Sequence, residues 1–327
     1  MKRAFLPLLR FGLHAATAED RRAQTPAPPF AKATAMTELA DPRYHALDTW
    51  DSLTALSAIW ESQMAAVACI APALPAIAQA IEAAVPRLRD GGRLVYAGAG
   101  TSIRIAVQDG TELGPTFNWP ETRVAYLIAG GDAALRRGIE GAEDNTEDAR
   151  AQAVQAALGP QDVVIGLAAS GRTPFTIAAI EAARAAGALT LGLACNPDTP
   201  LLQAAEHAIL TQTGAEVVAG STRMKAGTAQ KVVLNMISTQ IMVRLGHVHD
   251  GLMVDMRAQN TKLRSRATAM VARIADVTPE QAKAALDACN WRIKPAVLVA
   301  GGATPAQAEA ALARAGGILR AALATQR

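Results

Sequence analysis

The residues best suited to chemistry are serines, threonines and glycines gathered into three short loops. They are Gly98-Ala99-Gly100-Thr101-Ser102, Ser170-Gly171-Arg172-Thr173 and Gly220-Ser221-Thr222-Arg223-Met224-Lys225. The first two follow the apolar runs Leu94 to Ala97 and Val163 to Ala169. The opening turn of a helix leaves backbone N–H groups without partners and carries the positive end of the dipole, so a hydroxyl-rich loop there attracts an anion. In an open parallel sheet, ligands sit beyond the carboxyl ends of the strands, and three such loops can converge on one phosphate. The candidate contacts are Gly98, Gly100, Thr101, Ser102, Ser170, Gly171, Arg172, Thr173, Ser221, Thr222 and Lys225. One such loop alone is an ordinary helix start. Their recurrence points to a small phosphorylated ligand.

Two glutamates could add proton chemistry. Glu112 lies in Asp109-Gly110-Thr111-Glu112-Leu113-Gly114-Pro115-Thr116, and Glu143 in Ile139-Glu140-Gly141-Ala142-Glu143-Asp144-Asn145. Glu140 and Glu143 are three apart and would share a solvated face of a helix. Alternatively, Glu112 and Glu143 form a working pair, one taking a carbon-bound proton and the other protonating a leaving oxygen. Other chemistries find less support. The Gly-x-Gly after the first strand has Ile103 where the dinucleotide fingerprint needs its third glycine, and no Gly-Lys-Ser/Thr sequence marks a nucleotide loop. His247-Val248-His249 has no acidic cluster at metal-ligand spacing to support a metal, and a surface strand or loop is expected there.

Alternating strands and helices must position these residues. Strands are expected at 94–97, 124–129, 163–169, 189–194 and 208–212, and helices at 103–113, 132–158, 173–186 and 224–245. That alternation indicates βαβ crossovers and an α/β fold with a parallel sheet. Residues 48–90 read as helices, with apolar positions at helical spacing through Leu53, Leu56, Ile59 and Trp60. From about residue 265 a small all-helical domain follows. Thr278-Pro279-Glu280-Gln281 and Thr304-Pro305-Ala306-Gln307 each read as a capping box ahead of an Ala/Leu helix.

The chain has 327 residues, half of them apolar and 19% charged, which suits about two domains with a sizeable core. Of the net charge of +3, residues 1–35 hold +4 and the remainder −1, so charge gives no argument for nucleic acid. The cysteines, Cys69, Cys195 and Cys289, are few, odd in number and far apart, as in a reduced cytoplasmic protein. Lys2 and Arg3 ahead of Ala4 to Leu9 hint at an export signal, but Arg10 and His14 break the apolar stretch. Residues 1–35 are expected to be a disordered tail or an early start, with Met36 the working start. No apolar run is expected to cross a membrane.

These motifs resemble the bacterial N-acetylmuramic acid 6-phosphate etherases, within the wider sugar-isomerase (SIS) superfamily. The similarity rests on the first two loops with Ile128-Ala129-Gly130-Gly131, Glu140-Gly141-Ala142-Glu143-Asp144 and Cys195-Asn196-Pro197. It rests above all on Gly220-Ser221-Thr222-Arg223-Met224-Lys225-Ala226-Gly227-Thr228-Ala229-Gln230-Lys231. The resemblance implies a five-stranded SIS-type sheet over residues 36–264 and a ubiquitin-associated-like helical domain over 265–327. It implies a cytoplasmic homodimer with its site near the subunit interface, acting in cell-wall recycling. It implies cleavage of the D-lactyl ether of a sugar phosphate with no metal or organic cofactor, Glu143 acting as base and Glu112 as acid. A sugar-phosphate sensor or an aldose–ketose isomerase remains an alternative use of this core. Ile103 stands where the family has glycine, and Leu113-Gly114 where it has Cys-Pro, so Ile103 is expected to bear on affinity beside the phosphate loop.

Overall fold

The computed structural model describes residues Ala35–Thr325. The segment expected to be a tail or early start, 1–35, lies outside them but for Ala35.

Helices α1 (Ser52–Ala68) and α2 (Leu74–Arg89) lead into β1 (Leu94–Gly98) and α3 (Gly100–Phe117). Then follow β2 (Val124–Ile128), α4 (Thr146–Gln155), β3 (Val163–Leu167), α5 (Pro174–Ala185), β4 (Leu189–Ala194), α6 (Pro200–Ala204), β5 (His207–Leu210) and α7 (Lys225–Arg244). The strands form one five-stranded sheet in the order β2-β1-β3-β4-β5, every neighbouring pair parallel. β1, β3 and β4 are buried along their whole length, which is why they read as nearly continuous apolar runs, broken in β4 by Thr190. Side chains alternate across the sheet. Leu94, Tyr96 and Ile165 face a layer with Leu88, Ile103 and Leu234 from α2, α3 and α7. Val95, Ala97 and Val164 face Phe175, Ile180 and Ala149 from α5 and α4. Small residues let the helices approach closely. A Cβ placed on Gly166 would lie 2.5 Å from Ile180 Cγ1, so α5 rests directly on the sheet there.

Helices α8 (Thr261–Ala275), α9 (Pro279–Ala288), α10 (Ile293–Ala300), α11 (Pro305–Arg314) and α12 (Leu319–Ala324) follow. They enclose a hydrophobic cluster of their own that includes Val271, Leu286, Val297 and Leu312, together with Val254 and Met256. Both expected capping boxes are formed, Thr278 with Gln281 and Thr304 with Gln307.

The structure departs from the sequence expectations in several places. The helix expected over 132–158 is broken. A 3-10 turn at Asp132–Leu135, a stretch through Gly138 and Gly141, and a second turn at Ala142–Asp144 precede α4, which begins after its Asn145 cap. Glu140 and Glu143 therefore share no helix face. α3 starts earlier and runs further than 103–113, passing through Pro115 and closing at Asn118 in the left-handed region with Trp119 N–H bonded to Leu113 O. On α1, Leu53, Leu56 and Trp60 are exposed. The run Ser52–Arg89 has an 18-residue window of mean hydropathy 1.9, long and apolar enough by those measures to cross a membrane, contrary to expectation. It is interrupted between Cys69 and Ala73, and α2 buries Ile77, Ile81, Val85 and Leu88 in the core.

At the amino ends of β1 and β3 an ion pair fixes the register. Arg93 Nε and Nη2 donate to Asp162 at 2.9 and 2.7 Å, and Gly159 N–H donates to the same carboxylate at 2.9 Å. Burial pushes the Asp162 carboxyl up, but the Arg93 fork and the Gly159 N–H outweigh it and hold the group below its ordinary value. A depressed carboxyl stabilises the fold above its unfolded value and loses that contribution as pH falls through the folded one. Asp162→Asn should cost about 1–3 kcal/mol at neutral pH. In thermal melts the gap to the parent should narrow from about pH 4 downward. A gap that persists unchanged at pH 3 would assign the loss to packing instead of charge.

Candidate functional site

Between β1 and β3 the chain order reverses, since β1 is flanked by β2 on one side and β3 on the other. This is the switch point at which open α/β sheets bind ligands. A cleft of about 380 Å³ opens there, lined by Gly100, Thr101, Ser102, Ser170, Arg172, Thr173 and Thr222, with Glu38, Glu143 and Asp144 contributing carboxylates.

The floor of the cleft is built from helix ends. Neither α3 nor α5 has a side chain capping its first turn, so their free N–H groups and dipole ends are available to a ligand. Each such end is worth roughly 0.3–1 kcal/mol toward an anion, and more where partly buried. α7 differs. The fully buried Glu216 accepts from Lys225 N–H and Ala226 N–H, each at 2.9 Å, and so occupies that helix end itself. Gly171 makes the second loop possible. It sits at φ +67°, and a Cβ there would lie 2.3 Å from Thr199 Oγ1.

Side chains are positioned from distant segments. Ser102 Oγ donates to Gln230 Oε1 at 3.0 Å, tying the first loop to α7. Glu143 lies on the 3-10 turn Ala142–Asp144, entered through Gly141 at φ +70°. Glu38 lies on a 3-10 turn, Met36–Glu38, whose Thr37 is fully buried. Thr37 N–H donates to Asn196 Oδ1 at 3.3 Å, and Asn196 Nδ2 donates to Thr37 Oγ1 at 3.1 Å and to Ala169 O at 3.0 Å.

The sequence candidates thus divide. Gly100, Thr101, Ser102, Ser170, Arg172, Thr173, Thr222 and Glu143 meet in the cleft. Gly98 and Gly171 are buried behind it and shape the backbone. Ser221 lies beside it without lining it, and Lys225 is buried with Nζ donating to Ala215 O at 2.6 Å, so its charge is spent on its own loop. The third loop does not follow a strand directly, since residues 211–219 separate it from the end of β5, and it delivers Thr222 alone. Ile103 is fully buried in the core below the loop and does not line the cleft. Glu112 is exposed on α3, roughly 18 Å along the axis from the amino end that faces the cleft. Sequence reasoning missed Glu38, Asn196, Gln230 and Glu216. Asn196 and Gln230 stood inside recognised motifs, but only their long-range contacts reveal what they position.

A larger cavity, about 660 Å³, lies among Asn118, Asp255, Arg257, Arg264, Trp291 and Lys294. Its cations are already engaged. Arg257 donates to Asn118, Lys294 to Asp255 and Gly317 O, and Arg264 stacks on Trp291.

This sheet and its helix-end cleft define a sugar-isomerase-type domain. Residues 76–184 match the glucokinase regulatory protein N-terminal SIS domain family, and residues 144–239 match the SIS domain family. The chain is 49% identical over 264 residues to the N-acetylmuramic acid 6-phosphate etherase of Deinococcus radiodurans, covering 80% of this chain and 86% of that protein. It is 51% identical over 261 residues to that of Streptomyces coelicolor (79% and 83% covered) and 45% identical over 289 residues to that of Cronobacter sakazakii (88% and 97% covered). The chain belongs to the N-acetylmuramic acid 6-phosphate etherase family.

Gly171→Ala should cost about 1–3 kcal/mol from the left-handed backbone alone, with the Thr199 clash added. Denaturant unfolding should show a lowered midpoint. An unchanged midpoint would mean that the loop adopts another backbone at no cost.

Proposed function

We propose that the cleft binds N-acetylmuramic acid 6-phosphate and cleaves its D-lactyl ether with water, giving N-acetylglucosamine 6-phosphate and D-lactate. In this reading the phosphate lies against the amino ends of α3 and α5, with the hydroxyls of Thr101, Ser170 and Thr173 and the backbone N–H of Ser102 donating hydrogen bonds. The observation that carries the reading is that Glu143 shares one cleft with these uncapped helix ends. An alkoxide is a poor leaving group, so direct displacement is slow. Opening the sugar ring exposes an aldehyde at C1 that acidifies the C2 hydrogen. Glu143 takes that proton, the C3–oxygen bond breaks as lactate leaves with a proton from Glu112, and water then adds to the unsaturated aldehyde. No group beyond these side chains is needed, and the work is cytoplasmic. The helices beyond about residue 265 form a separate domain in this reading.

Glu112 needs a second chain to take part. Thr101, Ile105, Gln108 and Glu112 follow one another along a single face of α3, which starts at the cleft and grows more exposed toward Glu112. α1 and α3 both pack on α7, and α1 presents Leu53, Leu56, Trp60, Met64 and Val67 to solvent as an apolar stripe at helical spacing. A homodimer that covers this stripe brings Glu112 of one copy to the cleft of the other. The same contact withdraws the carboxyl from water, which a general acid near neutral pH requires.

D-lactate release from N-acetylmuramic acid 6-phosphate tests the activity, and binding without release would fit a sensor instead. Glu143→Gln should abolish both lactate release and exchange of the C2 hydrogen in heavy water. Glu112→Gln should stop release yet retain exchange, and loss of both would remove Glu112 from the acid's role. Co-expressing the two inactive variants should restore about a quarter of parental activity, because half the dimers are mixed and each then has one intact site. No restoration would mean that both carboxylates act within one chain.

A further inference from the structure

We propose that Glu38 is a sugar-binding residue of the cleft, its carboxylate accepting hydrogen bonds from the ring hydroxyls or the acetamido N–H of the bound sugar phosphate. This rests on the substrate class proposed above and adds a contact that the elimination itself does not call for.

The argument begins with the backbone. The turn Met36–Glu38 is short and would not hold its shape unaided. It is latched by its middle residue. Asn196 grips Thr37 through both an N–H and the side-chain hydroxyl, and Gly220 N–H donates to Thr37 O at 3.2 Å. These bonds join the turn to the ends of β3 and β4 and to the third loop, so Glu38 is carried to the cleft wall beside Thr222. A Cβ placed on Gly220 would lie 3.1 Å from Glu38 Oε2, so the glycine leaves room for the carboxylate over that loop.

Among the described residues the carboxylate has no other commitment: it enters no ion pair and accepts no hydrogen bond within the chain. An ionised carboxylate is an acceptor only. It cannot serve the phosphate, which also brings only acceptors and negative charge. The part of the ligand it can serve is the part that carries donors, and those are on the sugar. Glu143 is already assigned to the C2 proton, and of the two other carboxylates at the cleft, Glu38 and Asp144, Glu38 is the one latched against the third loop beside Thr222.

The test uses the full-length protein with Glu38→Gln and Glu38→Ala. Competitive inhibition or direct binding by N-acetylglucosamine 6-phosphate should weaken about 10- to 100-fold in both, as expected for a lost charged hydrogen bond. The KM for N-acetylmuramic acid 6-phosphate should rise similarly with kcat within about threefold, while inhibition by inorganic phosphate stays within about twofold. Equal weakening toward inorganic phosphate would mean that the turn merely supports the loops, and would overturn the proposal. So would unchanged binding of the sugar phosphate, or a loss confined to kcat. If the parent released no D-lactate at all, the etherase reading would fail by itself, and the binding measurements would still judge Glu38.

Discussion

The structure depends on two helix starts that are left chemically unsatisfied. The first turns of α3 and α5 expose N–H groups at the β1/β3 switch point with no side chain of their own to receive them. Buried polar groups normally find partners, and their lack of one here is the cost of holding a site ready for an anion. The sheet order brings the two ends together, and the apolar packing of both layers keeps them from drifting apart. α7 shows the contrast. Its amino end is closed by Glu216, a buried carboxylate that acts as a permanent internal anion. Two helices are thus open to a ligand and the third is sealed, although the three loops look alike in composition.

That likeness explains what the sequence could and could not disclose. The buried strands were legible because a parallel sheet covered on both faces needs continuous apolar runs, and β4 at 189–194 agrees with its expected bounds. The loops after β1 and β3 were legible because glycine and hydroxyl residues had no other reason to recur there. The segment after β2 was misread because Ala and Glu favour helix locally, whereas Gly138, Gly141 and the Asn145 cap stop it. The result matters for the site, since Glu143 is carried on a tight turn instead of a helix face. Lys225 was misread for a different reason. A cation in a phosphate-like loop invites a ligand, but the nearest acceptor in space is the carbonyl of Ala215.

Contacts between residues far apart in the chain were invisible to any local reading. Glu38 depends on Asn196 and Ser102 on Gln230, and neither pairing is written in spacing or periodicity. The exposed stripe on α1 belongs with them. Its helical pattern was plain, but whether Leu53 and Trp60 meet the core or something outside the chain is decided only by how α1 lies on α7.

The bond between Thr37 and Asn196 spans 159 residues of sequence. During synthesis the turn that carries Glu38 emerges first, while its anchor is still untranslated, and it must wait unsheltered until β4 has been made and docked. The cost of closing a loop grows only slowly with its length, so the 159 residues between Thr37 and Asn196 weigh little more than the 128 between Ser102 and Gln230. The floor waits longer still, because the bond that ties Ser102 to α7 needs Gln230, which is made after Asn196, so neither part of the pocket is complete until synthesis has passed α7.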